Sequence, residues 1–162
     1  MKRLALGIGA AAVGAALVLR LRRLRHRGGH DGAGHEDAVR AYFDAWSDGD
    51  GEAMRDLVSD DYQAHVRTLE GTDERDADEL VSVVGSHAEA FSEVEYELHE
   101  VISENGCVAV RAAMHASHGD TGRDGEIDGL AILRFDGDRI AEEWSSWDYR
   151  DLANQLGLSE GG

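Results

Sequence analysis

Apolar residues in the stretch 36–47 fall at Val39, Tyr42, Phe43 and Trp46. This i, i+3, i+4, i+7 spacing marks one face of a helix. Asp48-Gly49-Asp50-Gly51 interrupts it, and residues 52–58, with Met54, Leu57 and Val58 apolar, predict a second, short helix. Residues 62–67 read as a short strand and 69–75 as a loop. Asp76 or Asp78 can cap a third helix running to about residue 91, with Leu80, Val81, Val84 and Ala88 inward. From residue 93 the period drops to two. Val94, Tyr96 and Leu98 alternate with Glu93, Glu95, Glu97 and His99, which predicts a half-buried strand with an acidic outer face. Asn105-Gly106 is a hairpin turn, followed by a strand over 107–118, a glycine-rich connection over 119–125, and a strand over 126–135. Asp136-Gly137-Asp138 turns the chain into a last strand over 139–147, and residues 148–156 predict a short terminal helix. Three helices followed by an antiparallel meander define an α+β domain. Its curved sheet wraps the helices and leaves a pocket at the open end.

The first 35 residues follow another pattern. Met1-Lys2-Arg3 precede sixteen uncharged residues, 4–19, and then come Arg20, Arg22, Arg23, Arg25 and Arg27. Sixteen helical residues span about 24 Å, against a hydrocarbon core of about 30 Å. Leu21 and Leu24 can lengthen the span while the arginines snorkel to the head groups. Residues 1–27 therefore read as a single-pass N-terminal anchor. A cleaved signal peptide is the competing reading, disfavoured by arginines where its cleavage site would stand; a misassigned start is the third. The excess of arginine after the span places the domain on the cytoplasmic side. Residues 28–35 read as a flexible linker, and 158–162 as a disordered tail. His26, His30 and His35 are read as solvated linker residues rather than metal ligands.

Charge narrows the function further. Of the 33 acidic residues 32 lie beyond residue 35, against nine arginines and no lysine. Such a body repels phosphate backbones, which excludes nucleic acid as a partner. Its acid-rich, lysine-poor balance is that of a halophilic protein, whose self-repulsion salt would screen. Periodic apolar residues and Trp46, Trp144 and Trp147 argue against disorder. Cys107 is the one cysteine and sits in an apolar run, so it reads as a small buried hydrophobe. The sequence contains no phosphate-binding Gly-Lys-Ser/Thr loop, no His-Glu-x-x-His and no Gly-x-Ser-x-Gly.

Five blocks stand in a recognisable order. They are Ala41-Tyr42-Phe43-Asp44-Ala45-Trp46-Ser47-Asp48-Gly49-Asp50, Asp60-Asp61-Tyr62-Gln63-Ala64-His65, the Val110 to Gly119 stretch ending His118-Gly119, the Gly129 to Trp144 stretch, and Trp147-Asp148 with Leu152 and Gln155-Leu156-Gly157. Over residues 36–157 the chain resembles the SnoaL-like polyketide cyclases and ester cyclases of the NTF2-like superfamily. The resemblance implies a cone-shaped fold, a homodimer formed through the sheet, and a small apolar, carbonyl-bearing ligand. It also implies acid/base chemistry that needs neither metal nor organic cofactor. Two positions depart from the family pattern. The 119–125 connection is short and proline-free, and Ala131 stands where an acid is usual, leaving Asp128 as the nearest carboxylate.

His118 and Asp128 are accordingly the candidate catalytic pair. They flank one connection, and their parity matches Val108, Val110, Ala112 and Met114 on one strand and Leu130 and Ile132 on the next. On a regular hairpin both would face one interior. Asp128 would move the proton and His118 would polarise the substrate carbonyl. Tyr42, Trp46, His65, Glu142, Trp144 and Asp148 are the expected pocket-lining residues, and of Glu142 and Glu143 only one can point inward. The alternative is a non-catalytic dimeric scaffold at the membrane, with a filled cavity and an exposed apolar sheet face. From the anchor, the full-length protein should pellet with membranes and resist carbonate extraction. Its body should be digested in inverted vesicles and protected in right-side-out cells; the reverse pattern would overturn the charge-bias argument.

Overall fold

The computed structural model describes residues 32–68 and 71–158. The expected anchor over 1–27 lies outside the described residues, as do residues 28–31 of the linker and the tail over 159–162. No helix among the described residues is long and apolar enough to cross a membrane.

Helix α1 (Gly32–Asp48) buries Val39, Tyr42 and Phe43, the apolar stripe of the sequence. It starts four residues before the expected domain boundary. His35 is therefore buried and not part of a linker: its ring stacks on Phe135 at 4.1 Å, and Nε2 lies 3.0 Å from the Gly137 carbonyl oxygen. Helix α2 (Gly51–Leu57) follows, N-capped by Asp50, whose carboxylate accepts from the Ala53 amide. The chain then forms β1 (Val58–Thr68) and β2 (Gly71–Asp76), an antiparallel pair. The second of these replaces the loop expected over 69–75. Its polar residues give no apolar alternation, yet its ladder with β1 pairs the backbone groups along one edge. Asp76 caps α3 (Ala77–Ala90) in a capping box with Glu79. Leu80 and Val84 are buried there, Val81 is half-buried, and Ala88 is exposed where an inward position was expected.

Four strands complete the sheet: β3 (Glu93–Glu104), β4 (Cys107–His118), β5 (Arg123–Asp136) and β6 (Arg139–Trp147). The Asn105-Gly106 turn has φ of 52° and 74°, the pair of left-handed residues a two-residue hairpin needs. Strand order is β2-β1-β6-β5-β4-β3. All pairs are antiparallel except β1 with β6, so the sheet is mixed and not the purely antiparallel one expected. Parallel neighbours need a long crossover, and everything from β2 to β5 lies between these two strands. The result is an α+β cone of the NTF2-like kind, with helices in the concave side of a curved sheet.

One core cluster fills the space between α1, α2, α3 and the sheet, around Tyr42, Tyr62, Met54, Leu80, Val108 and Leu133. A second lies beneath α4 (Tyr149–Gln155), around Val94, Met114, Ile127, Leu152 and Leu156. Trp147 packs against both. Its indole lies over Gly129, where any Cβ would overlap the ring, so glycine at this position is required by close approach.

Candidate functional site

Which side chains reach the inside of the cone depends on register. His118 pairs with Arg123 across a four-residue turn, so even-numbered residues of β4 oppose odd-numbered residues of β5. Opposed residues share a face. The inward set on β5 is Ile127, Gly129, Ala131, Leu133 and Phe135. Leu130 and Ile132 are 61% and 47% exposed. The expected convergence of His118 and Asp128 is therefore corrected. Asp128 is on the outer face, opposite Ala113 and 3.5 Å from Arg111 Nη1. His118 is buried on the inner side, but at the sheet's far end, where Nδ1 accepts from the Thr121 amide at 3.3 Å and ties the turn.

A second shift acts on β6. Phe135 pairs with Ile140 but Arg134 pairs with Glu142, so one residue of β6 is unpaired in between. The bulge reverses the facing of all that follows. Glu143, Ser145 and Trp147 turn inward, while Glu142 and Trp144 turn outward. Glu142 meets Arg134 at 3.0 Å and His65 at 3.3 Å, and the Trp144 ring is stacked by His65 and covered by Arg134. Asp148 does not line the cone; it caps α4 by accepting from the Asp151 amide. Of the expected pocket residues, Tyr42 and Trp46 are in place. His65, Glu142, Trp144 and Asp148 lie outside the cavity.

The cavity is lined by Tyr42, Phe43, Trp46, Ala64, Val66, Arg75, Leu80, Tyr96, Glu143, Ser145, Trp147 and Tyr149. Its volume is about 20 Å³, room for about one water; a ligand would have to displace side chains. Glu143 is its chemical centre. The residue is 7% exposed, an expensive place for a carboxylate unless donors compensate it. Two do. Tyr62 donates to Glu143 Oε2 at 2.8 Å and Tyr42 donates to the same oxygen in a short hydrogen bond, with the two hydroxyls 3.3 Å apart. Oε1 accepts no hydrogen bond among the described residues.

The phenols hold their protons. Burial raises Tyr42 well above the ordinary tyrosine range, and the Glu143 charge adds to it. Tyr62 is raised by burial, then by Tyr42 and Glu143. Tyr96 is raised by burial, then by Tyr149, Tyr42 and Glu143. Tyr149 is pushed up to about 12, mainly by burial, although Arg75 pulls the other way. Tyr96 and Tyr149 keep part of their surface exposed, so it is the sealing of the phenol ends that matters. Beside the cavity, His87 packs edge-on to Trp46 at 5.4 Å. Its Nδ1 is buried without a partner, and burial followed by the Arg75 charge lowers it to about 4.

A larger groove of about 460 Å³ opens elsewhere, lined by Glu93, Glu95, His115, Ser117, Asp124, Glu126 and Gln155. Its polar groups satisfy one another, Ser117 on Asp124 at 2.7 Å and Gln155 on the Glu126 backbone at 2.8 Å. It lacks the buried, converging groups of the cone, which is the better candidate despite its size. No group of three or more His, Cys, Asp or Glu able to hold a metal occurs among the described residues.

Sequence reading missed Glu143, Tyr62 and Arg75. The blocks containing Tyr62 and Glu143 were visible, but the bulge that selects Glu143 over Glu142 leaves no mark in period or composition. Arg75 was hidden in a segment read as loop.

Comparison with known proteins follows the fold. A family model described as a SnoaL-like domain matches residues 39–143. No curated protein matches the chain. Among solved structures, IdmH of Streptomyces antibioticus, a candidate polyketide cyclase, superposes with a TM-score of 0.68 at 24% identity, covering 76% of this chain and 98% of its own. AclR of Streptomyces galilaeus, a candidate hydroxylase, gives 0.69 at 20% identity over 80% and 89%. A candidate SnoaL-like polyketide cyclase from Jannaschia sp. CCS1 gives 0.69 at 12% over 83% and 99%. At these identities the likeness is one of fold.

All four tyrosines of the chain (Tyr42, Tyr62, Tyr96 and Tyr149) are raised. Unfolded, they release protons near pH 10; folded, they keep them. The unfolded state then binds fewer protons above pH 10, so stability is intact below that value and falls as pH climbs past it. Absorbance at 295 nm should show no tyrosinate step near pH 10 in the native protein. A normal step for any of the four would show that its phenol is not sealed.

Proposed function

Since the chain belongs to the SnoaL-like family, whose model covers more than half of its residues, we propose that it binds a small carbonyl-bearing molecule in the cone and moves a proton on it through Glu143. The observation that carries this reading is the carboxylate itself: a nearly sealed Glu143 between two protonated phenols. Glu143 Oε1 would take a proton from the carbon next to the carbonyl. Tyr42 or Tyr62, released from Oε2, would donate a hydrogen bond to the carbonyl oxygen as it gains negative charge. The proton returns either at another carbon, an isomerisation, or to the alkoxide formed when the enolate closes on a second carbonyl, a cyclisation. In both cases the proton count balances and side chains supply both donor and acceptor. A domain held at the membrane by residues 1–27, on the cytoplasmic side, would sit close to lipophilic substrates.

The test follows deuterium exchange at the α-carbons of cyclohex-2-enone by NMR in D₂O, with full-length protein. Exchange should exceed background in the wild type. Glu143→Gln should slow it by about 10²–10⁴, the range for a positioned acid/base group, whereas Asp128→Asn should not. Equal rates for wild type and Glu143→Gln would sink the assignment.

A second reading has its own support. Leu130 and Ile132 project from the outer face of β5, unusual on so acidic a surface. A second copy of the chain docking there would bury them and form the homodimer expected of the family. This reading asks nothing of the cavity, whose small volume also suits a scaffold. Sedimentation of the wild type should give a dimer, and Leu130→Asp with Ile132→Asp a monomer with an unchanged melting profile per chain. A monomeric wild type would end this reading.

A further inference from the structure

The row of the sheet that carries Glu143 also carries a cation. Arg75 on β2 and Glu143 on β6 both pair with Ala64 on β1, from opposite sides. Residues opposed across a ladder project to one face, and all three line the cavity. Two strand spacings put the Arg75 and Glu143 backbones about 10 Å apart. The side chain between them is a single methyl group. The row therefore lines the small cavity of about 20 Å³ with Ala64 on its floor, a guanidinium on one wall and a carboxylate on the other, and a ligand would widen it into a slot by displacing side chains. Trp46, Tyr96 and Trp147 add flat aromatic surface.

Asp73 holds Arg75 through Nε at 2.8 Å and Nη2 at 2.7 Å. That contact uses one edge of a planar fork with five N–H donors. The second edge, built on Nη1, meets no carboxylate among the described residues. The Arg75 side chain is only 20% exposed, so its remaining donors act in a partly water-free setting where charge-assisted hydrogen bonds are stronger. Asp73 cancels the formal charge but not the direction of those donors. An anionic oxygen on the open edge is the partner they fit.

Resting on the reading of Glu143 as the proton-transfer group, we propose that the cone selects a small, flat anion. A carboxylate or enolate group is clamped by the open edge of Arg75, the body of the molecule lies over Ala64, and its reacting carbon faces Glu143. Arg75 is then the specificity-determining residue of the site.

Benzoate and its neutral isostere benzamide serve as probes, with full-length protein and tryptophan fluorescence as the readout. Trp46 and Trp147 line the slot, and Trp144 on the outer face gives a constant background. Benzoate should bind at least about tenfold more tightly than benzamide, a difference of about 1.4 kcal/mol. Arg75→Gln should remove that preference by weakening benzoate alone. Arg75→Lys, which keeps the charge but loses the fork, should weaken it in part. Asp73→Asn should keep it, and Ala64→Leu should abolish binding of both probes. The comparison of the two probes on wild-type protein needs no variant, so it stands even if a substitution impairs folding. Equal affinities, no response to either probe, or a preference that survives Arg75→Gln would overturn the proposal. The deuterium-exchange assay decides Glu143 separately: exchange dependent on Glu143 without anion preference leaves the proton-transfer reading standing and removes only Arg75.

Discussion

A carboxylate buried in the middle of an aromatic core constrains this fold more than any other single group. Removing Glu143 from water is unfavourable unless its charge is met by donors held in place. Those donors come from two separate elements, Tyr42 on α1 and Tyr62 on β1, while the carboxylate comes from β6. The helix layer and two neighbouring strands must therefore be positioned together. Val39, Phe43, Met54 and Leu80 share one core cluster with Tyr42 and Tyr62. A buried polar cluster satisfied in this way holds its members in one arrangement.

The two faces of the sheet divide the chemistry. Inside are phenols, indoles and one ion-paired arginine. Outside, the acids meet two arginines and a histidine in short ladders: Arg111 with Glu100 and Asp128, His115 with Glu97 and Glu126, and Arg134 with Glu142. Exposed pairs of this kind add little to stability, but they temper repulsion along a surface crowded with carboxylates. Leu130 and Ile132 break that surface, and their exposure is the counterpart of the inward Ala131 and Leu133 on the same strand. Small inward residues (Ala64, Ala112, Gly129 and Ala131) give the aromatic rings of α1 and Trp147 room to approach the sheet.

Much of the architecture is legible along the chain. Three helices, the Asn105-Gly106 hairpin, the strands from residue 93 onward and the closing helix all follow from period and turn chemistry, because one face of each meets water and the other does not. Strand β2 escaped because its residues are polar on both faces. It forms because its backbone completes a ladder with β1.

The site was legible only in part. Tyr42 and Trp46 lie on a 17-residue helix with a single apolar stripe, so periodicity alone places them inside. On the strands, periodicity has only two answers, and a shift of one residue exchanges them. Residues 129–133 are apolar or glycine on both parities, so nothing local says which set is inward. The four-residue turn between β4 and β5 and the bulge in β6 make that choice, turning Asp128 and Glu142 out and Glu143 in. The sequence by itself determined the fold class, the family and the aromatic helix face, since these rest on patterns repeated over many residues. Tertiary structure decided which carboxylate is buried and which arginine shares its row, because each depends on single-residue register between strands far apart in the chain.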